Sequence, residues 1–285
     1  MTMDPRKPLD RLRFGTAGIP ISCPVRSTAD GVAYVRKLGL DCMEMEFVRG
    51  VNVKEHAAEA IKKAAVENDI ALTCHAPYYI NLNSLEKEKI TASIKRILDS
   101  ARISALCGGR SVVFHAAYYM ELEKDGVYNI VKKRLKDILA SLKDEDIDIM
   151  LRPETTGKGT QFGDLKELLS MSAELDGVMP CVDFAHLHAR TVGKMNTYDE
   201  FSSILSSVEE ALGKSGLYNM HMHMAGIEYG QKGEKNHLIL KDSDFNYKDL
   251  MRALKDFDVR GTLVCESPNI EVDARLMQKH YLGLR

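Results

Sequence analysis

The hydrophobic pattern of this chain alternates between two kinds of segment. Short β-rich apolar runs predict strands, and longer stretches with apolar residues every three or four positions predict amphipathic helices. The predicted strands are 11–16, 41–47, 70–75, 110–115, 147–154, 178–183, 217–223 and 261–266. The predicted helices are 28–38, 53–68, 85–107, 125–143, 163–174, 198–213, 246–256 and 271–282. Asp30, Ser84 and Asn246 stand near the starts of three of these helices and are typical of helix N-termini.

Eight strand–helix units in strict order predict a parallel sheet, and eight is the number that closes a (β/α)8 TIM barrel. The 285 residues suit one such domain, so we expect a single domain over 1–285, with the barrel proper at about 11–284. A doubly wound open sheet is the alternative, but the nearest glycine-rich turn, at Gly157 and Gly159, is too short for a dinucleotide fingerprint. The longest non-helical connection, 224–245, is long enough to suggest a function.

Composition narrows the class of protein. The 39 basic and 41 acidic residues give a net charge of -2, which excludes a global basic field for nucleic acid or membranes. We find no secretory signal and no apolar run of the roughly 18 residues that a transmembrane helix needs. The six cysteines form no CxxC pair, so we expect reduced, mostly buried thiols in a cytoplasmic protein. Cys74, Cys181 and Cys265 are interpreted as small strand hydrophobes.

Potential metal ligands collect at the ends of the predicted strands. Six consecutive strands, the third to the eighth, each end in a histidine or carboxylate, and the carboxyl ends of barrel strands converge on one rim. Imidazoles and carboxylates together are ligands for zinc, manganese or iron. The histidines at or just beyond strand ends are His75, His115, His186, His188, His221, His223 and His237, and the carboxylates are Glu154, Asp183 and Glu266.

Two of these histidines have a second interpretation. His188 lies two residues past His186 and is expected to orient a neighbour or to face solvent. His221 shares a strand face with His223 but lies one layer deeper, which favours a supporting or core role. The choice between His221 and His223 as the ligand from the seventh strand stays open at this stage.

Several short motifs fall at these same positions. They are His75-Ala-Pro-Tyr78 with Ile80-Asn81-Leu82, Phe114-His115, Arg152-Pro-Glu154-Thr-Thr-Gly157, Asp183-Phe-Ala-His186, His223 with the loop to His237, and Glu266-Ser-Pro268. Through them the chain resembles, from about residue 13 to 270, the endonuclease IV family of apurinic/apyrimidinic-site endonucleases. That family, AP endonuclease family 2, lies within the xylose-isomerase-like TIM-barrel superfamily.

The resemblance implies a DNA-repair hydrolase with a cluster of metal ions, usually three zinc ions, that cleaves the phosphodiester 5′ to an abasic site. The implied ligands of the first ion are His75, His115 and Glu154; Glu154 bridges to a second ion held by Asp183, His223 and Glu266; His186 and His237 hold the third. Glu154 and Glu266 are the implied catalytic residues, which help to orient the attacking hydroxide. The implied cofactor is zinc, in two or three ions, with manganese as a possibility.

The resemblance also implies a partner, double-stranded DNA containing abasic sites, with no membrane and no obligate protein partner, and we expect a monomer. Tyr78 matches the family's intercalating tyrosine; a rim tyrosine that covers the barrel mouth is the other interpretation. Basic residues in the predicted rim loops could contact phosphates locally. They are Arg49, Lys158, Arg190, Lys194, Lys232, Lys235 and Lys241.

The sequence departs from the family pattern in two places. Where the family has Asp-x-His for the third ion, this chain has Glu234 three residues before His237. Either the longer glutamate substitutes, or the third site is weakened and the enzyme works with two ions. The first strand continues into Gly15-Thr16-Ala17-Gly18, where the family tends to have a histidine-containing segment.

Two alternative functions remain. A sugar isomerase or ketose epimerase of the same superfamily binds one divalent ion through Glu154, Asp183, His223 and Glu266. Such an enzyme does not need His75, His115, His186 and His237, and it favours an aromatic sugar platform, whereas this chain has no tryptophan. A non-catalytic module that binds metal or DNA ends is the third interpretation.

Overall fold

The computed structural model describes residues 5–284 of the chain. Its central feature is a sheet of eight parallel strands. These are β1 (Leu12–Ala17), β2 (Cys42–Glu46), β3 (Ala71–His75), β4 (Ser111–Phe114), β6 (Met150–Pro153), β8 (Cys181–Asp183), β9 (Met220–Met224) and β12 (Gly261–Cys265). Four further strands lie in the connections: β5 (Ala117–Tyr118), β7 (Gln161–Phe162), β10 (Gly226–Gly230) and β11 (Gly233–Leu238).

The helices follow the strands and surround them. They are α1 (Thr28–Lys37), α2 (Glu55–Glu67), α3 (Lys87–Leu106), α4 (Lys124–Asp144), α5 (Leu165–Glu174), α6 (Phe184–Arg190), α7 (Tyr198–Leu217), α8 (Tyr247–Asp256) and α9 (Glu271–Gly283). Apolar helix faces pack against the strands in one large core, and none of the helices within residues 5–284 is long and apolar enough to cross a membrane.

The sheet closes into a barrel. Its strand order is β6-β4-β3-β2-β1-β12-β9-β8, with all neighbours parallel. Isolated parallel bridges join the two outer strands, between Leu151 and Val178 and between Glu154 and Cys181. The predicted TIM barrel is therefore confirmed, and the carboxyl ends of all eight strands meet on one rim.

The predicted strands and helices all occur within a few residues of their expected ends. Three details differ. The structure adds α6 directly after β8, so His186 and His188 lie on a short helix. The connection 224–245 contains the antiparallel ribbon β10–β11. Ser84 is not the N-cap of α3, which is Glu86, whereas Asn246 caps α8 as predicted, through its side chain to the Asp249 amide.

Candidate metal centre

The strand ends bring the predicted ligands together at one rim of the barrel. His75 and Asp183 are the last residues of β3 and β8, and His223 lies near the end of β9. His115, Glu154 and Glu266 come directly after β4, β6 and β12. Because adjacent parallel strands are in register, these side chains enter the barrel mouth at similar depth. Together with His186 and His237 they form three overlapping groups that could each hold a metal ion.

The first group consists of His75, His115 and Glu154. The Nε2 atoms of His75 and His115 lie 3.2 and 3.1 Å from Glu154 Oε2. His75 Nδ1 lies 2.7 Å from the Ala76 carbonyl oxygen, to which it donates. That hydrogen bond places the proton on Nδ1 and leaves the Nε2 lone pair directed at the group, as a ligand needs.

The second group consists of Glu154, Asp183, His223 and Glu266. His223 Nδ1 lies 3.3 Å from Glu154 Oε1 and 3.4 Å from Glu266 Oε1. The two oxygens of Glu154 therefore face different groups, which is the geometry of a bridging carboxylate. His221 lies two residues earlier on β9, deeper in the barrel. His223 is therefore the histidine of β9 that faces Glu154 and Glu266.

The third group consists of Asp183, His186 and His237. His186 is brought to it by α6, whose first turn is capped by Asp183: the His186 amide donates to Asp183 Oδ1 at 2.7 Å. The His186 and His237 rings lie 5.6 Å apart, centroid to centroid. Glu234 Oε2 lies 3.6 Å from His186 Nε2, at the edge of the same group.

A β-bulge explains how Glu234 reaches this group. In the β10–β11 ribbon, Ile227 pairs with His237 and Tyr229 pairs with Glu234, and the register shifts by one residue between the two pairs. Lys235 is the extra residue. Because of it, residues that are three apart on β11 lie on the same face of the ribbon, instead of on opposite faces.

The donor set fits divalent metal ions. Asp183 Oδ2 and His237 Nε2 are buried and have no hydrogen-bond partner among the described residues, although buried polar atoms are nearly always paired. Both atoms belong to residues of the third group. A bound cation would satisfy each of them, and mixed imidazole and carboxylate ligands suit zinc or manganese.

The ionisable side chains of the site change one another's pKa. Burial alone would raise the pKa of Glu154, but the neighbouring His115 and His223 charges hold the pKa well below its ordinary value, so Glu154 is ionised. Burial, reinforced by the charges of Glu154 and Glu266 against that of His186, raises the pKa of Asp183 to about 6. This concentration of buried carboxylates is what a cluster of cations would stabilise.

Three polar residues of the inner barrel were not among the predicted site residues. Glu44 and Glu46 lie on β2, and Cys181, at the start of β8, lies near His221 and His223. Glu44 and Cys181 are fully buried, and Glu46 Oε1 is buried without a hydrogen-bond partner among the described residues. The signal for the two glutamates was their alternation along β2. Strands of a parallel barrel are covered on both faces, so acidic residues at these positions need partners inside the barrel.

Other predicted residues have plain structural roles or stay at the rim. The Tyr78 ring lies 5.9 Å from the His75 ring and is exposed. Arg190 was one of the basic residues expected to contact phosphates. Its side chain is largely buried and donates to the carbonyl oxygens of Thr156, Lys158 and Gln161. These hydrogen bonds hold the loop after β6. His188 Nε2 lies 3.2 Å from Asp244 Oδ1. All six cysteines are free and buried, as expected.

The family is decided by a comparison with protein-family models. The model described as the xylose isomerase-like TIM barrel matches residues 32–281. The chain belongs to this family. Among its relatives, the uncharacterized protein MJ0133 of Methanocaldococcus jannaschii is 48% identical over 270 residues, which is 95% of this chain and 97% of that protein.

Proteins with different names resemble this chain in sequence or in fold. A protein named probable endonuclease 4 from Mycoplasma pneumoniae is 22% identical over 204 residues, 70% of this chain and 68% of that protein. Endonuclease IV from Thermus thermophilus superposes with a TM-score of 0.71 and 18% identity, covering 96% of this chain and 100% of that one. A D-tagatose 3-epimerase-like protein superposes with a TM-score of 0.70 and 18% identity, covering 95% and 97%. These superpositions establish the shared fold.

Proposed function

We propose that this protein is a metal-dependent DNA-repair endonuclease that hydrolyses the phosphodiester 5′ to abasic sites in double-stranded DNA. One observation carries the proposal: three groups of potential metal ligands lie side by side, and two of them include histidine pairs, His75 with His115 and His186 with His237. A reaction at a single ion would leave both histidine pairs without a role. The relation to proteins named endonuclease 4 supports the same conclusion.

The proposed cofactor is zinc, in three ions if Glu234 completes the third site and in two if it does not. When bound, divalent ions would supply an activated water molecule and would offset the negative charge that builds up on the phosphate. We propose His75, His115, Glu154, Asp183, His186, His223, Glu234, His237 and Glu266 as the ligands. The hydrogen bond from His75 Nδ1 to the Ala76 carbonyl oxygen and the Asp183 cap of α6 hold two of these side chains in place, which supports a preorganised site.

Glu266 and Glu154 are the residues that we propose to orient the attacking water. Their carboxylates face the same group of ligands, but their accessibility differs: the Glu154 side chain is 1% exposed and that of Glu266 is 15% exposed. Glu266 can therefore contact a water molecule at the mouth, while Glu154 bridges two groups below it. We therefore propose that Glu266 contacts the attacking water directly, and that Glu154 fixes the positions of the ligands around it.

The rim next to the metal groups can contact DNA through aromatic side chains. Tyr78 and Tyr79 follow β3 and are 58% and 67% exposed. An exposed aromatic ring can stack against bases or fill the space left by a missing one. We propose that Tyr78, which lies next to His75, enters the gap at the abasic site.

A sugar isomerase or ketose epimerase is the second candidate. The specific observation for it is the group of Glu154, Asp183, His223 and Glu266, which suits one divalent ion. Two of its three carboxylates, those of Glu154 and Glu266, could exchange a proton with a sugar. The fold fits an epimerase-like protein as well as it fits endonuclease IV. This candidate assigns no function to His75, His115, His186 and His237.

One experiment compares the two candidates directly. The purified protein is stripped with chelator and reloaded with zinc or manganese, and each form is given duplex DNA with a single tetrahydrofuran site and, separately, a set of ketohexoses. The tetrahydrofuran analogue blocks β-elimination, so a nick reports hydrolysis. The proposal expects metal-dependent incision 5′ to the analogue and unchanged sugars. Epimerised sugar with intact DNA would replace the nuclease proposal by the second candidate.

A further inference from the structure

Helix α6 and the β10–β11 ribbon meet across a small apolar interface. Ala185 and Ala189 of α6 are buried against Ile227 of β10, and Tyr229 of β10 packs beside them. Because alanine side chains are short, the ribbon can lie close to the helix. The interface therefore joins the two elements that carry the histidines of the third group.

The β10 residues of this interface are cross-strand neighbours of two proposed ligands. Ile227 pairs with His237, and Tyr229 pairs with Glu234. Paired residues of an antiparallel ribbon lie on the same face, so the face that packs on α6 also carries both ligands. Whatever fixes Tyr229 against α6 therefore also sets how far Glu234 and His237 lie from His186.

One carboxylate connects the two sides of the interface. The Tyr229 hydroxyl donates to Asp244 Oδ2 at 2.6 Å, and His188 Nε2 lies 3.2 Å from Asp244 Oδ1. His188 Nδ1 is buried with no hydrogen-bond partner among residues 5–284, so the ring makes its hydrogen bond to Asp244. An Nε2–H group donates to a carboxylate whether or not Nδ1 carries a second proton, so this contact does not depend on the charge of His188.

Ring packing holds the same three side chains together. The His188 ring lies 5.0 Å from the Tyr229 ring and 5.4 Å from the Phe245 ring, centroid to centroid, with edge-to-face geometry in both cases. Gly193, which follows α6, makes room for the Tyr229 hydroxyl, because a Cβ atom there would lie 2.5 Å from that oxygen. The position of Tyr229 against α6 is thus defined by rings as well as by hydrogen bonds.

The backbone next to Asp244 is anchored independently. Asn196 Nδ2 donates to the Asp244 carbonyl oxygen at 2.9 Å, and Asn196 Oδ1 accepts from the Asn246 amide at 2.6 Å. Ser243 Oγ accepts from the Ile227 amide at 3.0 Å. The carboxylate of Asp244 therefore extends from a backbone segment that is tied to the start of α7 and to β10.

We infer that Asp244 is a positioning residue of the third group: with Tyr229 and His188 it sets the separation between His186 on α6 and the ligands on the ribbon. Residues two apart are about 200° apart around an α-helix, so His186 faces the metal groups while His188 faces Tyr229 and Asp244. The inference rests on the proposed function only in taking the third group as a metal site, and it applies whether that site cleaves DNA or acts on a sugar.

NMR of the metal-free protein measures this separation. The His186 and His237 rings lie 5.6 Å apart, centroid to centroid, so their ring protons should show a nuclear Overhauser contact. We expect this contact in the wild type and a contact several-fold weaker in Asp244→Ala. The Asp244 side chain is 55% exposed, so its replacement should leave the barrel folded. A contact that is absent from the wild type, or equally strong in Asp244→Ala, would overturn the inference. Neither result depends on metal or on DNA incision, so failure here is distinct from failure of the proposed function.

Zinc binding provides the second readout. In Asp244→Ala we expect affinity for the last-bound zinc ion to fall about tenfold, with the other ions held as in the wild type. Asp244→Asn should restore near-wild-type affinity, because the amide oxygen accepts from His188 and the amide NH2 group donates to the Tyr229 hydroxyl. Asp242→Ala is the matched control, since it removes an exposed carboxylate two residues away. Wild-type affinity in a folded Asp244→Ala protein, or an equal loss of affinity for every ion, would overturn the inference.

Discussion

Gly157 lies against Glu234, with no room for a side chain between them. A Cβ atom built on Gly157 would be 2.6 Å from Glu234 Cβ, 2.7 Å from Glu234 Oε2 and 3.2 Å from His186 Cδ2. The Glu234 amide also donates to the Gly157 carbonyl oxygen at 3.0 Å. The loop after β6 therefore fixes where the carboxylate of the β10–β11 ribbon lies relative to His186.

A single methyl group added at Gly157 should weaken zinc binding at the third group. In Gly157→Ala the added Cβ must push Glu234 away from His186, so we expect affinity for the last-bound zinc ion to fall about tenfold, with the fold and the other ions retained. Gly159→Ala is the matched control, because a Cβ there meets nothing within 4 Å. Zinc titration followed by metal analysis measures both variants. Equal zinc affinity in the two would contradict a role for Glu234 at the third site.

The ribbon itself offers a more direct test of Glu234. In Glu234→Gln the amide is a poorer ligand than a carboxylate, and we expect the protein to bind two zinc ions tightly instead of three. Glu228 lies on the other face of the ribbon, where it contacts Lys235 and Asn236, so Glu228→Gln should keep the wild-type count. A count of three in Glu234→Gln would show that the third site is made without this carboxylate.

Variants of Tyr78 test DNA binding without changing the metal ligands. Removing an exposed ring that stacks in the gap of an abasic site should cost about 1–3 kcal/mol of binding, so we expect Tyr78→Ala to lower incision about tenfold or more at limiting substrate. Tyr78→Phe keeps the ring and should keep most of the activity. Metal content should be unchanged in both variants. If the alanine variant incises at the wild-type rate, Tyr78 is a rim residue that only covers the barrel mouth.

Glu46 makes the stability of the metal-free protein depend on pH. Burial, with an opposing contribution from His75 and a reinforcing one from Glu44, raises the pKa of Glu46 to about 8. The folded state then holds a proton that the unfolded chain releases above its pKa of about 4.3. The stabilisation is fully present below that value and is lost as the pH rises through 8.

Glu46→Gln removes this dependence, since the amide is always neutral. In chelator, we expect the variant and the wild type to be equally stable near pH 4, and the variant to be about 2 to 4 kcal/mol more stable at about pH 9. Urea unfolding at the two values measures the difference, with Glu88→Gln on the exposed face of α3 as the control. A constant offset between wild type and Glu46→Gln across this range would contradict the assigned pKa shift.

Much of this fold follows from the sequence because the signals are local. Strand and helix periodicity predicted all eight strand–helix units, and even the predicted end of the helix at 213 coincides with Gly213, whose φ of 67° kinks α7. The alignment of strand ends then placed His75, His115, Asp183 and Glu266 on one rim. The carboxyl ends of the strands in a parallel barrel always lie on the same rim, so the positions of these four residues follow from the strand order alone.

The remaining features depend on contacts between distant segments. Helix α6 is only seven residues long, and the side chain of Asp183, a proposed ligand, caps its first turn. The bulge at Lys235 is visible only once β10 and β11 are paired. Glu44 and Glu46 were present in a predicted strand, but their neighbours His221, His223 and His75 come from other strands. The departure in spacing at Glu234 was therefore visible in the sequence, whereas its structural solution was not.

The central claim is that the clustered ligand groups serve phosphodiester hydrolysis at an abasic site. The most direct measurement is incision of a duplex with one tetrahydrofuran site by the zinc-reloaded wild type, with Glu266→Gln in parallel. The account predicts a nick 5′ to the analogue that leaves a 3′-hydroxyl, disappears with chelator, returns with metal and is at least about 100-fold slower in Glu266→Gln. A fully metal-loaded protein that leaves this DNA intact would contradict it.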